Sequence, residues 1–229
     1  MLSPVFRSLL HRQECSLLLE KENDRANLVG TDGHRLALIN RPLLKSNVEG
    51  DEALSYLLPK KALTELLKLM DSDDQALQFS AKNNHLAFIQ GRQVIVSRKI
   101  DGKFPNYRQV IPADNKLQVR ANRDDLIHAL KRVALLADEK SKMVRFEIQK
   151  GLLTLVSDNT ELGAAREEMS VNYDGEDVVV GLNARYVLDV LGVVDDEEVI
   201  LNLKDQNHSC MITVAGDKDY LSIVMPMRL

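Results

Sequence analysis

The sequence contains only two cysteines and no long apolar run. Cys15 and Cys210 have neither the spacing of metal ligands nor a disulfide framework around them, which favours a reducing cytoplasm. A membrane-spanning helix needs about 20 consecutive apolar residues, and no run approaches that length. Residues 1–4 lack the basic start and the apolar stretch of a secretion signal. We therefore predict a cytoplasmic protein with no membrane partner.

The sequence also lacks a glycine-rich phosphate loop, a Gly-x-Ser-x-Gly elbow and a His-Glu-x-x-His motif. Its densest polar cluster, residues 31–36, contains Asp32 and His34, which would suit a general-base pair or half a metal site. No third ligand or nucleophile accompanies them. The simpler alternative is a turn in which Asp32 and Gly33 close a hairpin between strands 26–30 and 35–39. We predict a protein that is not an enzyme and that holds no metal or cofactor.

Positive charge is not in excess, because the net charge is −4. This argues weakly against wrapping nucleic acid, since phosphate contacts need clustered lysines and arginines. The predicted helices nevertheless carry basic residues, while acidic residues concentrate in predicted loops. Such helices can present an attractive surface to phosphate, or they can be ordinary solvated faces, and the sequence leaves both alternatives open. The basic residues are Lys60, Lys61, Lys68, Arg123, Lys131 and Arg132.

A repeat organises the chain. Three segments each contain an apolar strand, then a Pro or Asn that can start a helix, then apolar residues at helical spacing. These starts are Pro59, Asn122 and Asn183, at a nearly constant separation of about 60 residues. Three predicted strands follow each helix, at 76–80, 85–89 and 93–98, at 144–149, 152–157 and 163–170, and at 199–203, 209–214 and 220–224. Pairing of these units would cover their apolar faces.

The first copy of the repeat is incomplete. Residues 3–12 have the features of a helix and residues 15–22 those of a strand, but no opening strand precedes them. Residues 99–112 contain two prolines, a glycine and two aromatics, which suit an ordered linker. We therefore predict a domain boundary near residue 112, between domains 1–112 and 113–229.

The last six residues, 224–229, stay apolar where most chains become polar. One interpretation is an edge strand that ends in its own core. The other is a docked wall, in which the flexible side chains of Met225 and Met227 adapt to several partners.

Three motifs together resemble the bacterial sliding clamp, the beta subunit of DNA polymerase III. They are Thr31-Asp32-Gly33-His34-Arg35-Leu36, Gly102-Lys103-Phe104-Pro105-Asn106-Tyr107 and Val224-Met225-Pro226-Met227-Arg228-Leu229. They recur in the family's order and spacing, and the similarity runs from about residue 20 to residue 229. The resemblance implies an α+β DNA-clamp fold of repeated strand-helix-three-strand units, with helices on one face of antiparallel sheets. The chain would hold the second and third of the family's three domains, with residues 1–16 atypical.

The resemblance also implies a function without catalysis. Clamp subunits join head to tail into a ring around double-stranded DNA, with the helices facing the DNA, and short apolar peptides of partner proteins dock in a pocket between the second and third domains. The implied partners are DNA polymerase III and other polymerases, the clamp loader and mismatch-repair proteins, with possible self-association. The implied pocket residues are Thr31, Gly33, His34, Arg35, Leu36, Pro105, Val110, Ser209, Ile223, Val224, Met225, Pro226, Met227 and Arg228. The basic residues of the helices would face DNA, and Leu135 and Leu136 would lie at the subunit interface.

The chain departs from the family pattern in three places. Gln109 stands where the family commonly has an arginine beside the pocket, so one charge-assisted contact to a partner is missing. Glu14 stands where the pattern requires an apolar pocket residue. The resemblance covers only the second and third of the family's domains, so we expect the apolar surface at Leu135 and Leu136 to lack the partner that the first domain would supply.

The favoured hypothesis is a truncated processivity factor for DNA replication that tethers polymerases and repair proteins to DNA. Three two-domain subunits would be needed for a six-domain ring. The alternative is a fragment that never encircles DNA and binds partner peptides as a module or decoy. A third hypothesis is a decayed gene whose product is barely stable, because the missing opening strand exposes a sheet edge.

Overall fold

The computed structural model describes residues 17–45, 54–70, 76–159 and 163–229. The chain divides into two compact units, residues 1–106 and 107–229. Residues 107–112, which the sequence assigned to the linker, group with the second unit. There Tyr107 is buried and opens a short 3-10 turn, Tyr107–Gln109. The helix predicted at 3–12, the start of the strand predicted at 15–22, and Glu14 lie outside the described residues.

The first unit contains two antiparallel sheets and one helix. One sheet has the strand order β4-β1-β2-β3, and the other has the order β5-β6-β7. The strands are β1 (Leu17–Glu22), β2 (Arg25–Thr31), β3 (Arg35–Pro42), β4 (Leu54–Leu58), β5 (Gln78–Lys82), β6 (His85–Gln90) and β7 (Gln93–Arg98), and helix α1 spans Lys60–Met70. The hairpin predicted around Asp32 and Gly33 is confirmed by the pairing of β2 with β3.

Helix α1 forms where the apolar residues have helical spacing. Ala62, Leu63, Leu66 and Leu67 are buried, and they recur at intervals of three and four residues on one face. The carbonyl of Pro59 accepts the first hydrogen bond of the helix from the Leu63 amide at 3.2 Å. Lysines occupy the opposite, exposed face. The buried face packs on β6 and β7.

The second unit contains two four-stranded antiparallel sheets, with strand orders β11-β10-β9-β12 and β15-β14-β13-β8. Its elements are β8 (Leu117–Asn122), α2 (Arg123–Val133), a 3-10 turn (Ala134–Leu136), β9 (Met143–Gln149), β10 (Leu152–Asn159), β11 (Gly163–Ser170), β12 (Val178–Asn183), α3 (Ala184–Leu191), β13 (Glu198–Leu203), β14 (Cys210–Val214) and β15 (Tyr220–Val224). The predicted strand-helix-three-strand order is therefore confirmed for both repeats of this unit.

The two repeats of the second unit exchange their opening strands. Strand β8, which opens the first repeat, pairs with β13 of the second, and β12, which opens the second repeat, pairs with β9 of the first. Each sheet is therefore completed by the other repeat. Helices α2 and α3 pack against each other, and their apolar faces are buried. This exchange explains why two repeats make one folded unit, since neither sheet is complete alone.

Asparagine side chains begin both helices of this unit. The Asn122 Oδ1 accepts the amides of Asp124 and Asp125, each at 3.0 Å. The Asn183 Oδ1 accepts the amides of Arg185 at 3.0 Å and Tyr186 at 3.2 Å. Because the first amides of a helix have no partner within it, these caps fix where α2 and α3 begin.

In the described ranges, no helix is both long enough and apolar enough to cross a bilayer. Within the same ranges, no group of three or more His, Cys, Asp or Glu side chains is arranged to hold a metal ion.

Candidate functional site

The polar cluster of the first unit is a tightly bonded turn. The Asp32 Oδ1 accepts the amides of His34 and Arg35 at 3.0 Å, and its Oδ2 accepts the Arg35 Nε at 2.9 Å. The Thr31 hydroxyl donates to the Arg35 carbonyl at 2.7 Å and accepts the Gly33 amide at 3.1 Å. Gly33 has a φ of +85°, a conformation that favours glycine. The cluster is therefore a turn whose shape its own side chains hold.

This geometry assigns the Asp32 carboxylate to the turn. Both of its oxygens accept hydrogen bonds from the residues that follow it, and the Asp32–Arg35 ion pair is largely shielded from solvent. A general base needs an oxygen aimed at a substrate proton, and here the oxygens are aimed at the backbone and the guanidinium. The turn alternative thus accounts for every polar contact that the structure gives Asp32.

The predicted pocket residues of the first unit differ in exposure. Gly33 and His34 lie at the exposed tip of the turn, Thr31 and Arg35 are half-buried, and Leu36 is buried at the start of β3. Pro105 is exposed in the segment that follows β7. The turn thus presents polar groups to the solvent, while its apolar residue Leu36 packs in the core.

In the second unit, the predicted wall begins inside the core. Ile223 and Val224 are fully buried at the end of β15, where Val224 pairs with Cys210 and Ile223 with Met211. Tyr220, which opens the strand, shares a 2.6 Å hydrogen bond with Ser222, and burial raises the pKa of the Tyr220 hydroxyl. This first part of the segment matches the interpretation of a strand that ends in its own core.

The wall becomes accessible after Val224. Met225 is 40% exposed, Pro226 and Met227 are half-buried, and Arg228 is exposed. Ser209 directly precedes Cys210, the pairing partner of Val224, and its carbonyl accepts the Asn115 Nδ2 at 3.3 Å. The structure therefore brings Ser209 close to the start of the accessible part. We call residues 225–228 the terminal wall.

The predicted pocket residue Val110 directly follows the 3-10 turn that opens the second unit. The Val110 amide donates to the Tyr107 carbonyl at 3.1 Å, and its side chain is 41% exposed. Gln109, which the resemblance places where the clamp family commonly has an arginine, is exposed on the same turn. An exposed amide at this position can donate a hydrogen bond but brings no positive charge of its own.

The lysines of helix α1 form an exposed basic face. Lys60, Lys61 and Lys68 are all exposed, and the Lys68 Nζ lies 2.9 Å from the Glu65 carboxylate. Lys60 and Lys61 therefore contribute more uncompensated positive charge than Lys68. Attraction of phosphate by this helix would come mainly from its first turn.

The basic residues of helix α2 are differently arranged. The Arg123 Nε donates to the Leu191 carbonyl at 2.8 Å, which ties the start of α2 to the end of α3. The Arg132 guanidinium makes two hydrogen bonds with Glu167, and these hold the pKa of that carboxyl below its ordinary value. Lys131 is exposed. Two of the three predicted DNA contacts thus have structural partners, which the sequence did not indicate.

The residues predicted at a subunit interface lie on the 3-10 turn Ala134–Leu136. Leu135 is 76% exposed and Leu136 is half-buried. An isolated exposed leucine needs no special explanation, so its role stays a prediction.

Matches to known families decide the chain's affiliation. Residues 108–228 match the model of the DNA polymerase III beta subunit, C-terminal domain, and residues 15–106 match the model of its central domain. The chain belongs to the DNA polymerase III beta subunit family. The resemblance stated from the three motifs is confirmed, as is the assignment to the second and third domains.

Individual clamps agree with this affiliation. The chain is 35% identical over 213 residues to the beta sliding clamp of Pseudomonas putida, covering 93% of this chain and 57% of that protein. It matches a crystal structure of the DNA polymerase sliding clamp from Pseudomonas aeruginosa with ligand at a TM-score of 0.91 and 32% identity, covering 99% of this chain and 64% of that one. A second clamp structure from that organism, bound to griselimycin, gives the same TM-score. The α+β clamp fold is therefore confirmed, and the chain spans little more than half the length of its curated relatives.

Proposed function

We propose that this chain is a clamp-type accessory factor of DNA replication that binds partner proteins through short apolar peptides. The observation that carries the proposal is the match of 99% of the chain to a sliding clamp at a TM-score of 0.91. The tightly bonded turn at residues 31–36 supports it with fixed polar groups, and the terminal wall supports it with the partly exposed apolar side chain of Met225.

The proposed partners are DNA polymerase III and other polymerases, the clamp loader and mismatch-repair proteins. The residues proposed to contact such peptides are Thr31, Gly33, His34, Arg35, Leu36 and Pro105 in the first unit, and Val110, Ser209 and 223–228 in the second. A clamp structure bound to griselimycin supports ligand binding as a property of this family. The chain would act in the cytoplasm and carry out no catalysis of its own, as a tether needs only to bind.

A direct test is titration of a fluorescent apolar clamp-binding peptide followed by anisotropy. Met225→Ser removes an exposed apolar side chain of the terminal wall, and we expect about tenfold weaker binding. Val96→Ser is the matched control, since Val96 is 62% exposed on β7 and outside the proposed site. Absence of saturable binding by the unmodified chain would contradict the proposed peptide binding.

A second candidate function is peptide binding without encirclement of DNA. The arrangement of charge on α2 favours it, because Arg132 forms an ion pair with Glu167 and Arg123 forms one with Asp124. With a net charge of −4, the attraction between this chain and a duplex is then weak.

Loading onto nicked circular DNA separates the two candidates. Retention on the circle that is lost after linearisation would support an encircling clamp, formed in that case from several copies of the chain. Peptide binding with no retention on circles would support the non-encircling module or decoy.

A further inference from the structure

The terminal wall is held at both ends within the second unit. At one end, Val224 is paired with Cys210 as the last residue of β15. At the other end, the Met227 amide donates to the Gly181 carbonyl at 2.8 Å, which forms an antiparallel bridge to β12. Only Met225 and Pro226 lie between these two attachments, and the proline ring restricts the backbone further. The backbone of Met225 is therefore restrained from both sides.

The attachment to β12 depends on a residue without a side chain. A Cβ atom on Gly181 would lie 2.9 Å from the Met227 carbonyl oxygen and 3.0 Å from the Leu229 Cδ2. Real Cβ atoms essentially never approach a backbone oxygen so closely, and the backbone cannot yield as a flexible side chain does. Glycine inside a strand commonly marks a place where another backbone approaches closely. Position 181 is such a place.

The backbone conformation at position 181 does not itself require glycine. Gly181 is absent from the residues with positive φ, so alanine could adopt its backbone conformation. Side chains alternate along a strand, so Val179 and Gly181 lie on the same face of β12. Gly181 is buried, whereas Val179 is 36% exposed. The returning segment therefore covers the strand at Gly181 and leaves Val179 partly open.

We infer that Gly181 is a positioning residue for partner-peptide binding: its missing side chain lets residues 227–229 dock on β12 and so holds Met225 in a ligand-ready orientation. This inference rests on the proposed function. A site that is held in place before binding loses less conformational freedom when the ligand arrives. Undocking the segment would leave the side chains of the terminal wall intact but allow them to move.

The test compares Gly181→Ala with Val179→Ala, which changes the same face of the same strand without a clash. For Gly181→Ala we expect about tenfold weaker binding of a fluorescent apolar clamp-binding peptide, and for Val179→Ala no change. Unchanged binding by Gly181→Ala would overturn the inference. Failure of the unmodified chain to bind the peptide would instead overturn the proposed function, so the two failures are distinguishable.

A spectroscopic measurement separates positioning from general destabilisation. In chains labelled on the methionine methyl groups, Gly181→Ala should shift the Met225 and Met227 signals of the peptide-free protein. The Met169 signal, from β11, should stay in place. A Met169 shift as large as that of Met227 would mean a general structural loss and would contradict positioning.

Leu229→Ala leaves the sequence of β12 unchanged and removes a side chain that lies next to Gly181. It therefore tests the docking of residues 227–229 on β12 even if Gly181→Ala does not fold. It should shift the Met227 signal and weaken peptide binding, and identity with the unmodified chain in both measurements would count against the inference.

Discussion

The Arg132 guanidinium and the Glu167 carboxylate form a two-point ion pair, with Nε–Oε1 at 2.7 Å and Nη2–Oε2 at 3.0 Å. This pair joins helix α2 to β11, the edge strand of its sheet among the described residues. It also raises the pKa of Arg132 and lowers that of Glu167, because the hydrogen bonds between the two side chains, and secondarily their opposite charges, favour the ionised form of each. The positive charge of Arg132, one of the predicted DNA contacts, is therefore balanced by the negative charge of Glu167.

Removing the compensating charge should strengthen attraction to DNA. Glu167→Gln releases the charge of Arg132, and we expect tighter duplex binding at low salt, with the salt slope steeper by about one. Anisotropy of a labelled duplex at several salt concentrations measures both. Glu176→Gln makes an equal change of charge in the loop before β12, and equal effects of the two variants would show that only net charge matters.

The two asparagine caps should contribute unequally to stability. Asn122→Ala leaves two helix amides uncapped and should lower the free energy of unfolding by about 1 kcal/mol. Asn183→Ala should cost more, by about another 1 kcal/mol, because the Asn183 Nδ2 also donates to the Ser141 carbonyl at 2.8 Å. Urea unfolding measures both. Asn122→Asp keeps the accepting oxygen, so a loss as large as that of Asn122→Ala would contradict the capping explanation.

The turn at residues 31–36 should matter for peptide binding through its shape. Asp32→Ala removes the carboxylate oxygen that accepts the amides of His34 and Arg35, together with the ion pair to Arg35. We expect peptide affinity to fall about fivefold because the turn loosens. Asp32→Asn keeps an oxygen for the amides of His34 and Arg35 and should lose less. Peptide anisotropy ranks the variants, and a larger loss for Asp32→Asn than for Asp32→Ala would refute this account of the turn.

Leu135 should affect association and not folding. It is 76% exposed, so Leu135→Ser should change the free energy of unfolding by less than about 0.5 kcal/mol. If this surface mediates self-association, sedimentation velocity should show a shift toward monomer. Leu130→Ala provides the contrast, since Leu130 is fully buried and its truncation should cost about 2–5 kcal/mol. Unaltered sedimentation of Leu135→Ser would remove Leu135 from the proposed interface.

The Cys210 thiol should be unreactive in the folded chain. Burial raises its pKa from the ordinary value of 9.0 to about 12, because the thiolate is poorly solvated there. Since the unfolded chain ionises first, this group's stabilising contribution is present below pH 9.0 and is lost as the pH rises toward about 12. In a Cys15→Ser background, a thiol reagent should label Cys210 only after denaturant is added. Rapid labelling of the native protein would contradict its burial.

The repeat was predictable because its signals are local. Helix starts after Pro59, Asn122 and Asn183 depend on capping and on helical spacing of nearby apolar residues, and all three lie within one residue of the observed starts. The first strand after α1 was less accurate: it was expected at 76–80 and lies at Gln78–Lys82. Its residues are mostly exposed, so they carry little of the apolar alternation that locates a strand.

Some contacts of the candidate site could not be predicted from the residues next to them in sequence. Nothing near Arg132 in sequence indicates Glu167, and nothing near Arg123 indicates the Leu191 carbonyl, because both contacts join distant segments. Gly181 carried a weak signal, a glycine within an apolar strand, but its meaning required knowing which segment approaches it.

The repeat, the hairpin at Asp32 and Gly33, and the family could all be predicted from the sequence, because spacing, turn residues and short motifs are properties of neighbouring residues. The exchange of strands between the repeats, the pairing of basic residues with carboxylates and the attachment of the terminal wall became known only from the folded structure. Those features arise from contacts between residues far apart in the chain, such as Met227 on Gly181, and their energies depend on distances that exist only after folding.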